Sequence, residues 1–234
     1  MSEGMYVKAL ILSGGLGKRL RPITNYLPKA LVPIDNIPII EWQIRYFKKY
    51  GVNEFVICAG YGSKHIIDYL SEKNLGVSIQ YSIEKTPLGT GGAIKKASKY
   101  IERESFFVIN GDVITNLDLR RLRSRENSIA VIPLRSAFGV IQLREDKIKS
   151  FDEKPKISHY WMNAGIYHLA KNIIKLLPKV GNIENSAFPS LANTGNLYAV
   201  KFNKIFWHSI DSHKDIEDCV KEMRSVRYEN LLSE

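Results

Sequence analysis

Cysteine is scarce in this chain, and neither Cys58 nor Cys219 stands at a spacing typical of a disulfide framework or a metal site. This usage favours buried thiols in a reducing compartment, so we expect a cytoplasmic protein. Long apolar runs are also missing: none approaches the ~20 residues that span a bilayer, and we expect no membrane partner. Residues 1–5 have neither the basic segment nor the apolar core of a signal peptide.

Acidic residues are outnumbered by basic ones. The chain has 34 Lys and Arg against 24 Asp and Glu, which gives a net charge of +10 at pH 7. Positive charge attracts nucleic acid, but it equally attracts nucleotides and sugar phosphates. The densest basic run, residues 120–125, contains no aromatic side chain that could stack on a base, so we predict a solvated helix face there. RNA binding would therefore rest on net charge alone.

A glycine-rich stretch with trailing cations follows the first apolar run, where residues 12–20 read LSGGLGKRL. Glycine allows the backbone to approach a ligand closely, and successive N–H groups in such a turn form an anion-binding concavity. Lys18 and Arg19 would add positive charge beside the anion. A dinucleotide-binding loop is disfavoured because Pro22 and Pro28 prevent a long helix, and a Walker loop because no Ser or Thr follows Lys18. We predict a triphosphate-binding loop.

Predicted strands and helices alternate on short connections up to residue 112. The strands are predicted at residues 5–12, 54–59, 77–83 and 106–110, and the helices at 38–47, 63–72 (capped by Ser63) and 89–102. This order predicts an α/β fold with a mostly parallel sheet and helices on both faces. Because ligands bind beyond the carboxyl ends of parallel strands, the glycine-rich loop, Glu84 and Asp112 should meet in one crevice.

The pattern becomes antiparallel after residues 128–134. We predict a hairpin from residues 139–143 and 148–153, a strand at 161–169, a short helix at 170–177, a second hairpin from 197–202 and 205–207, and a last helix at 215–224. No repeat, low-complexity segment or linker interrupts the chain. We therefore expect a single domain over residues 1–234.

Several segments together resemble the signature of the sugar-1-phosphate nucleotidyltransferases, also called NDP-sugar pyrophosphorylases. They are the glycine-rich stretch, Pro28-Lys29, Asn110-Gly111-Asp112, the FDEKP sequence at 151–155 and the NAGIY sequence at 163–167. The match is ordered and specific, and it covers nearly all of the chain. It implies a Rossmann-like, GT-A-like α/β/α sandwich with antiparallel hairpins over the sugar site. It also implies a catalytic domain without the C-terminal β-helix that some relatives append.

The resemblance assigns the nucleotide to the N-terminal half of the chain. The implied nucleotide-binding residues are Leu12, Gly14, Gly15, Gly17, Lys18, Arg19, Glu84, Gly89 and Thr90. Lys18 and Arg19 would contact the β- and γ-phosphates, and Lys29 would hold a phosphate rather than lie on the surface. The implied catalytic residues are Arg19, Lys29, Asp112 and Lys154.

A magnesium site is implied at Asp112, which stands in the family's metal motif. Mg²⁺ on nucleotide phosphates takes one or two carboxylates and keeps several waters. An ungapped match of the C-terminal motif places Ser209 where the second acid usually stands, whereas a W-x-x-x-D pattern places Asp211 there. Only a carboxylate supplies the negative charge that Mg²⁺ requires, so we assign the metal to Asp112 and Asp211.

The same resemblance assigns the residues that would bind the sugar 1-phosphate. The implied sugar-phosphate-binding residues are Gly139, Glu153, Lys154, Asn163 and Gly165. Glu153 would accept hydrogen bonds from sugar hydroxyls, and Lys154 would hold the sugar phosphate. Gly139 would let the sugar approach the backbone.

The residue at position 84 bears on the choice of base. A carboxylate only accepts hydrogen bonds, and guanine presents two adjacent donors to it. Pyrimidines oppose one carboxylate oxygen with an acceptor, at a cost of about 1–3 kcal/mol. The sequence from Glu84 to Ala93 also resembles guanylyl members that use mannose or heptose 1-phosphate, although some uridylyl relatives carry an acid here. We favour GTP, with UTP or dTTP and a glucose or amino-sugar 1-phosphate as the alternative.

The reaction implied is the Mg²⁺-dependent transfer of a nucleoside monophosphate from a nucleoside triphosphate to a sugar 1-phosphate, with release of pyrophosphate. A non-catalytic regulatory subunit with the same fold is the alternative from another class. The presence of Arg19, Lys29 and Asp112 argues against it, while Ser209 leaves it open. The expected partners are the two substrates rather than nucleic acid or membrane, and self-association stays open.

Overall fold

The computed structural model describes residues 7–136 and 138–225. Its strands are β1 (Lys8–Ser13), β2 (Pro33–Ile34), β3 (Ile37–Pro38), β4 (Glu54–Ala59), β5 (Ser78–Ile83), β6 (Ser105–Asn110), β7 (Val113–Thr115), β8 (Ser128–Arg135), β9 (Val140–Arg144), β10 (Lys147–Asp152), β11 (Lys156–Ala170), β12 (Tyr198–Lys201) and β13 (Trp207–Ser209). Its α-helices are α1 (Ile39–Lys49), α2 (Ser63–Ser71), α3 (Gly89–Ala97), α4 (Leu119–Leu122), α5 (Ala187–Asn193) and α6 (His213–Ser225). Residues 5 and 6, which the sequence places in the first strand, lie outside the described residues.

A seven-stranded sheet in the order β12-β8-β11-β6-β1-β4-β5 forms the centre of the protein. Strand β1 is parallel to β4 and β6, and β4 is parallel to β5. The long strand β11 runs antiparallel to both β6 and β8. The mostly parallel α/β sheet predicted from the sequence is therefore confirmed, with β11 as an antiparallel insertion.

Side chains of the central strands alternate between two apolar cores. Ala9 and Ile11 of β1 join the core that contains side chains of α1 and α2, whereas Leu10 joins the core that contains side chains of α3 and α5. A sheet covered on both faces explains why its strands are continuously apolar in sequence. The carboxyl ends of the parallel strands are left open for a ligand.

The second predicted hairpin, from residues 197–202 and 205–207, is wrong. Strand β12 pairs in parallel with β8, and β13 pairs antiparallel with β7. The physical reason is that Phe202 and Phe206 are buried in two different apolar clusters, so the chain passes from one cluster to the other instead of folding back. The β7–β13 ladder sets Ser209 opposite Val113.

Three further predictions concern local structure. Ser63 is the first residue of α2 rather than its cap, because Gly62, at φ 67°, occupies the N-cap position and no side chain caps the helix. The helix predicted over residues 89–102 ends at Ala97, and a 3-10 turn (Ser98–Tyr100) follows it. The helix predicted over residues 170–177 is a 3-10 helix (Lys171–Leu176).

The first predicted hairpin is confirmed. Strands β9 and β10 form a separate antiparallel two-stranded sheet in which Ile141 lies opposite Phe151. Both strands are largely exposed to solvent. Among the residues that the structure describes, no helix has both the length and the apolar character needed to cross a membrane.

Candidate active site

A cleft of about 410 Å³ opens at the carboxyl ends of β1, β5 and β6. Segments that are far apart in the chain line it: the glycine-rich loop, the β5–α3 connection, the β6–β7 turn and the residues after β13. Every residue that the sequence implied for nucleotide or metal binding is in this lining, namely Leu12, Gly14, Gly15, Gly17, Lys18, Arg19, Glu84, Gly89, Thr90, Asp112 and Asp211, together with Lys29. The predicted crevice is therefore present.

The glycine-rich loop turns sharply at Gly17. This residue has φ +59°, and a Cβ atom there would lie 2.9 Å from Thr24 Cγ2, so only glycine fits. Thr24 Oγ1 donates a hydrogen bond to Gly17 O at 2.8 Å. The chain continues as one 3-10 turn (Lys18–Leu20) instead of a long helix, in agreement with the exclusion of a dinucleotide-binding loop.

Glu84 lies against the glycine-rich loop. It is only 9% exposed, and its Oε2 accepts a hydrogen bond from the Leu88 N–H at 3.0 Å. A Cβ atom on Gly14 would lie 3.2 Å from both carboxylate oxygens. Burial raises the pKa of Glu84, against the lowering effects of the Leu88 N–H and the Lys96 charge. The cleft thus contains a partly desolvated carboxylate beside the loop.

Asp112 stands in the two-residue turn between β6 and β7. The Gly111 N–H before it donates to Leu12 O at 3.0 Å. A Cβ atom on Gly111 would lie 2.3 Å from that oxygen, so the close approach requires glycine. Asp112 O accepts the N–H of Ile210 at 2.9 Å. The turn is therefore tied both to β1 and to the segment that follows β13.

Two carboxylates meet at one lysine. Lys29 Nζ lies 2.8 Å from Asp112 Oδ2 and 2.7 Å from Asp211 Oδ1, and the lysine side chain is only 15% exposed. Arg19 Nη2 lies 2.8 Å from the same Asp211 oxygen, but the arginine side chain is 75% exposed. Lys29 is thus held by the protein, while Arg19 reaches into the cleft from the solvent side.

The structure places Asp211, and not Ser209, in contact with Lys29. Ser209 is the last residue of β13, and its Oγ donates to Asp211 Oδ2 at 3.2 Å. The backbone N–H of Asp211 donates to Asp215 Oδ2 at 3.0 Å, which fixes the chain after the strand. Ser209 therefore supports the carboxylate at position 211.

The charge state of Asp211 follows from these contacts. Burial by itself would raise its pKa, but the hydrogen bond and charge of Lys29, the charge of Arg19 and the hydroxyl of Ser209 outweigh burial, and the pKa is lowered. Asp211 is therefore ionised at neutral pH.

The donor set suits a hard divalent cation. Asp112 and Asp211 present carboxylate oxygens to one point, now filled by the Lys29 ammonium group, and Mg²⁺ prefers oxygen ligands. Within residues 7–136 and 138–225 no group of three or more His, Cys, Asp and Glu could hold a metal. A magnesium site on nucleotide phosphates does not need such a group, because it usually takes one or two carboxylates.

The N-terminus of α3 is held by a segment that the sequence did not single out. Thr90 N donates to Asn182 Oδ1 at 3.2 Å, and Thr90 Oγ1 donates to Glu184 Oε2 at 2.6 Å. Tyr167 OH donates to Glu184 Oε1 at 3.3 Å, and Asn163 Nδ2 donates to Tyr167 OH at 2.9 Å. A continuous set of hydrogen bonds therefore joins Asn163, expected to bind sugar, to Thr90, expected to bind nucleotide. No sequence spacing signals this link.

The residues expected to bind sugar phosphate fall into two groups. Gly165 packs against the cleft, where a Cβ atom would lie 2.8 Å from Asn110 Nδ2, and its N–H donates to Asn163 Oδ1 at 2.8 Å. The other three, Gly139, Glu153 and Lys154, lie at the base of the β9–β10 hairpin, and none of the five residues is in the lining that the described residues give to the cleft. The structure thus brings together three of the four expected catalytic residues and leaves Lys154 apart from them.

A mostly parallel α/β sheet that carries a glycine-rich loop, basic side chains and paired carboxylates at its carboxyl edge defines a Rossmann-like nucleotide-binding enzyme. Residues 8–225 match the family model described as Nucleotidyl transferase, and the chain belongs to that family. The resemblance found in the sequence is confirmed. Enzymes of this family generally depend on a divalent metal.

Named relatives and solved structures agree with this assignment. The D-glycero-alpha-D-manno-heptose 1-phosphate guanylyltransferase of Campylobacter jejuni is 38% identical over 172 residues, which cover 71% of this chain and 77% of that protein. The mannose-1-phosphate guanylyltransferase catalytic subunit beta of Dictyostelium discoideum is 36% identical, over 89% of this chain and 62% of its own length. The crystal structure of HddC from Yersinia pseudotuberculosis is 30% identical and aligns with a TM-score of 0.75 over 93% of this chain and 99% of HddC. A second structure of HddC, complexed with GMP-PN, is 28% identical and aligns with a TM-score of 0.70 over the same shares of the two chains.

Proposed function

We propose that this chain transfers a guanylyl group from GTP to mannose 1-phosphate or a heptose 1-phosphate, with Mg²⁺ as cofactor and pyrophosphate as the second product. The observation that carries the proposal is the position of the buried Glu84 carboxylate in the same cleft as the Asp112–Asp211 pair. The similarity to guanylyltransferases for heptose 1-phosphate and mannose 1-phosphate supports it.

The nucleotide would lie along the glycine-rich loop. Backbone N–H groups from Gly14 to Gly17 would bind phosphate oxygens, and Lys18 and Arg19 would neutralise the pyrophosphate group that leaves. The Glu84 carboxylate would accept hydrogen bonds from N1–H and the 2-amino group of guanine. The remaining residues proposed to line the nucleotide site are Leu12, Gly89 and Thr90.

The chemical difficulty of this reaction is that two polyanions must meet in line. Asp112 and Asp211 would hold Mg²⁺, which would supply Lewis-acid polarisation of the reacting phosphate. Lys29, already inside the cleft, would then be available to a phosphate oxygen, and Arg19 would stabilise charge on the leaving group. The attacking sugar-phosphate oxygen is anionic at neutral pH, so no general base and no covalent intermediate are required.

The acceptor would be bound between the cleft and the β9–β10 hairpin. Glu153 and Lys154 would contact the sugar hydroxyls and the sugar phosphate from the base of the hairpin, beside Gly139. Asn163 and Gly165 would line the side of the pocket nearest to Asp112.

Because all of these residues belong to one chain, we infer that residues 1–234 act as a single catalytic domain. The two buried free cysteines fit a reducing cytoplasm.

A substrate panel tests the proposal. Purified protein is assayed with each of the four nucleoside triphosphates against mannose, heptose, glucose and N-acetylglucosamine 1-phosphates, with pyrophosphate release as the readout. We expect GTP with the mannose or heptose compound to react fastest, and no reaction without a divalent metal. Faster turnover with UTP or dTTP would overturn the guanine assignment. Nucleotide binding without turnover in any combination would favour a regulatory subunit.

A further inference from the structure

Gln43 lies on α1, directly behind the turn that carries Asp112. It is 1% exposed, and its Nε2 donates two hydrogen bonds, to Asn110 O at 2.8 Å and to Val113 O at 2.9 Å. These two carbonyl groups flank the Gly111-Asp112 turn on either side. One amide nitrogen therefore holds both ends of the turn.

The path of the backbone explains why the Asn110 and Val113 carbonyls are served by a side-chain amide. Strand β6 ends at Asn110 and β7 begins at Val113, so the two carbonyls lie where the chain changes from one sheet to another. A buried carbonyl that lacks a donor destabilises the folded state. The nitrogen of a side-chain amide carries two N–H groups and can serve both carbonyls at once. Gln43 Oε1 has no hydrogen-bond partner among the described residues, so its two N–H donors are what the amide contributes.

Helix α1 presents Gln43 from a fixed position. Next to it, Trp42 Nε1 donates to Ile34 O at 2.9 Å. One turn later, Tyr46 OH donates to Leu117 O at 2.7 Å. These bonds attach the helix to the backbone on both sides of Gln43, so the Cα atom from which the amide extends is held in place.

We propose that Gln43 is a positioning residue, which holds the β6–β7 turn so that the Asp112 carboxylate faces Asp211 in a geometry suited to a divalent metal. This inference rests on the proposed metal-binding role of Asp112. Metal ligands must be held within about 0.5 Å of their productive position. Loss of groups that orient ligands typically lowers metal affinity about 10–100-fold. Gln43 is buried and is not in the lining that the described residues give to the cleft, so it would act through the turn rather than on the substrate or the metal.

The test compares Gln43→Met with Tyr46→Phe. Both variants remove a buried side-chain donor from α1, but the Tyr46 bond ends on Leu117 O, away from the turn, where Tyr50 OH also donates at 3.2 Å. Mn²⁺ affinity is measured by electron paramagnetic resonance in the presence of a non-hydrolysable GTP analogue, and stability is measured by urea unfolding. We expect at least about tenfold weaker Mn²⁺ binding in Gln43→Met and near wild-type binding in Tyr46→Phe, even where both are less stable.

Two further variants make every result decisive. Gln43→Asn keeps the amide but is too short to reach both carbonyls, and it replaces Gln43→Met if that variant does not fold; the same loss of affinity is expected. A folded Gln43 variant with wild-type Mn²⁺ affinity, or a loss equal to that in Tyr46→Phe, overturns the inference. Asp112→Asn distinguishes failure of the metal assignment from failure of the Gln43 inference. If Asp112→Asn binds Mn²⁺ normally, Asp112 is not a metal ligand. If Asp112→Asn loses Mn²⁺ and the Gln43 variants do not, only the role of Gln43 is wrong.

Discussion

The Lys29 ammonium nitrogen lies 2.7 Å from Asp211 Oδ1, although 182 residues separate the two in the chain. The same nitrogen contacts Asp112, so one positive charge keeps two carboxylates together that would otherwise repel each other. A metal bound between these carboxylates would compete with Lys29 for them. We therefore expect Lys29 to change partners, from carboxylate to phosphate, when metal and nucleotide bind together.

Replacement of Asp211 should be far more harmful than replacement of Ser209. Asp211→Asn removes a proposed metal ligand and should lower kcat by at least about 100-fold, in line with the contribution expected of metal catalysis. Ser209→Ala removes one hydrogen bond to that carboxylate which, at 3.2 Å, is longer than an ordinary O–H···O bond and therefore weak, so the loss should be less than about tenfold. Pyrophosphate release measured across a Mg²⁺ titration distinguishes the two. Equal losses, or a larger loss in Ser209→Ala, would contradict the assignment.

Substitution by alanine should impair nucleotide binding at one glycine of the cleft and stability at another. A Cβ atom on Gly15 meets no atom within 4 Å, so Gly15→Ala should leave the free energy of unfolding within about 0.5 kcal/mol of wild type. The added methyl group would nevertheless occupy space proposed for phosphate, and the KM for the nucleotide should rise. In Gly111→Ala the Cβ atom would lie 2.3 Å from Leu12 O, and a loss of stability of about 1–3 kcal/mol or more is expected. Urea unfolding and steady-state kinetics measure both effects.

Glu84→Gln should weaken the preference for GTP. The amide brings a donor to a position where guanine presents two donors, and the mismatch should reduce the ratio of kcat/KM for GTP to that for UTP or dTTP by about ten- to 100-fold, the equivalent of about 1–3 kcal/mol. Competition assays with mixed triphosphates give this ratio directly. An unchanged ratio would remove Glu84 from base selection.

The buried Glu84 carboxylate should make the preference for GTP depend on pH. Burial raises the pKa of Glu84 above its ordinary value of 4.5, so it becomes protonated at pH values where an exposed glutamate is still ionised. Protonation replaces one acceptor by a donor. The GTP preference of the wild type should therefore fall as the pH is lowered through this raised pKa, whereas the Glu84→Gln variant should show a flat profile over the same range. Parallel profiles for the two proteins would contradict the prediction.

A buried histidine should make the fold sensitive to acid. His168 is 3% exposed, with its ring nitrogens 2.9 Å from Arg125 O and 3.0 Å from Ser105 Oγ. Burial lowers its pKa below 6.5, against the raising effect of the Arg125 carbonyl. Below pH 6.5 the unfolded chain therefore binds a proton that the folded state resists, and stability falls as the pH drops. Urea unfolding between pH 8 and pH 5 should show this loss in the wild type and a smaller loss in His168→Gln.

What the sequence could predict depends on how local the determining contacts are. The glycine-rich loop was predictable because its turn depends on Gly17 itself, and the position of Asp112 because the Asn110-Gly111-Asp112 motif directly follows an apolar strand. Asp211 could be chosen over Ser209 because the chemistry of Mg²⁺ favours a carboxylate. The β12 and β13 pairings were not predictable, since they depend on which of two apolar clusters receives Phe202 or Phe206.

The supporting residues of the site were also beyond the reach of the sequence. Gln43 donates to the Asn110 carbonyl across 67 positions, and Thr90 donates to Glu184 across 94. A side chain that bonds a distant backbone carbonyl, or a distant carboxylate, leaves no periodicity and no motif. Such contacts become visible only when the elements have been packed together.

The β9–β10 hairpin forms its own two-stranded sheet, apart from the sheet whose edge carries the cleft. In the proposed function, Gly139, Glu153 and Lys154 would bind the sugar phosphate from this separate sheet, whereas Asn163 and Gly165 would bind it from β11 of the central sheet. Swapping residues 139–153 for the matching segment of a homologue should retune which sugar is accepted while guanylyl donation continues. If the proposed sugar contacts are correct, exchange of this segment would change the product sugar and leave Arg19, Lys29 and Asp112 in place.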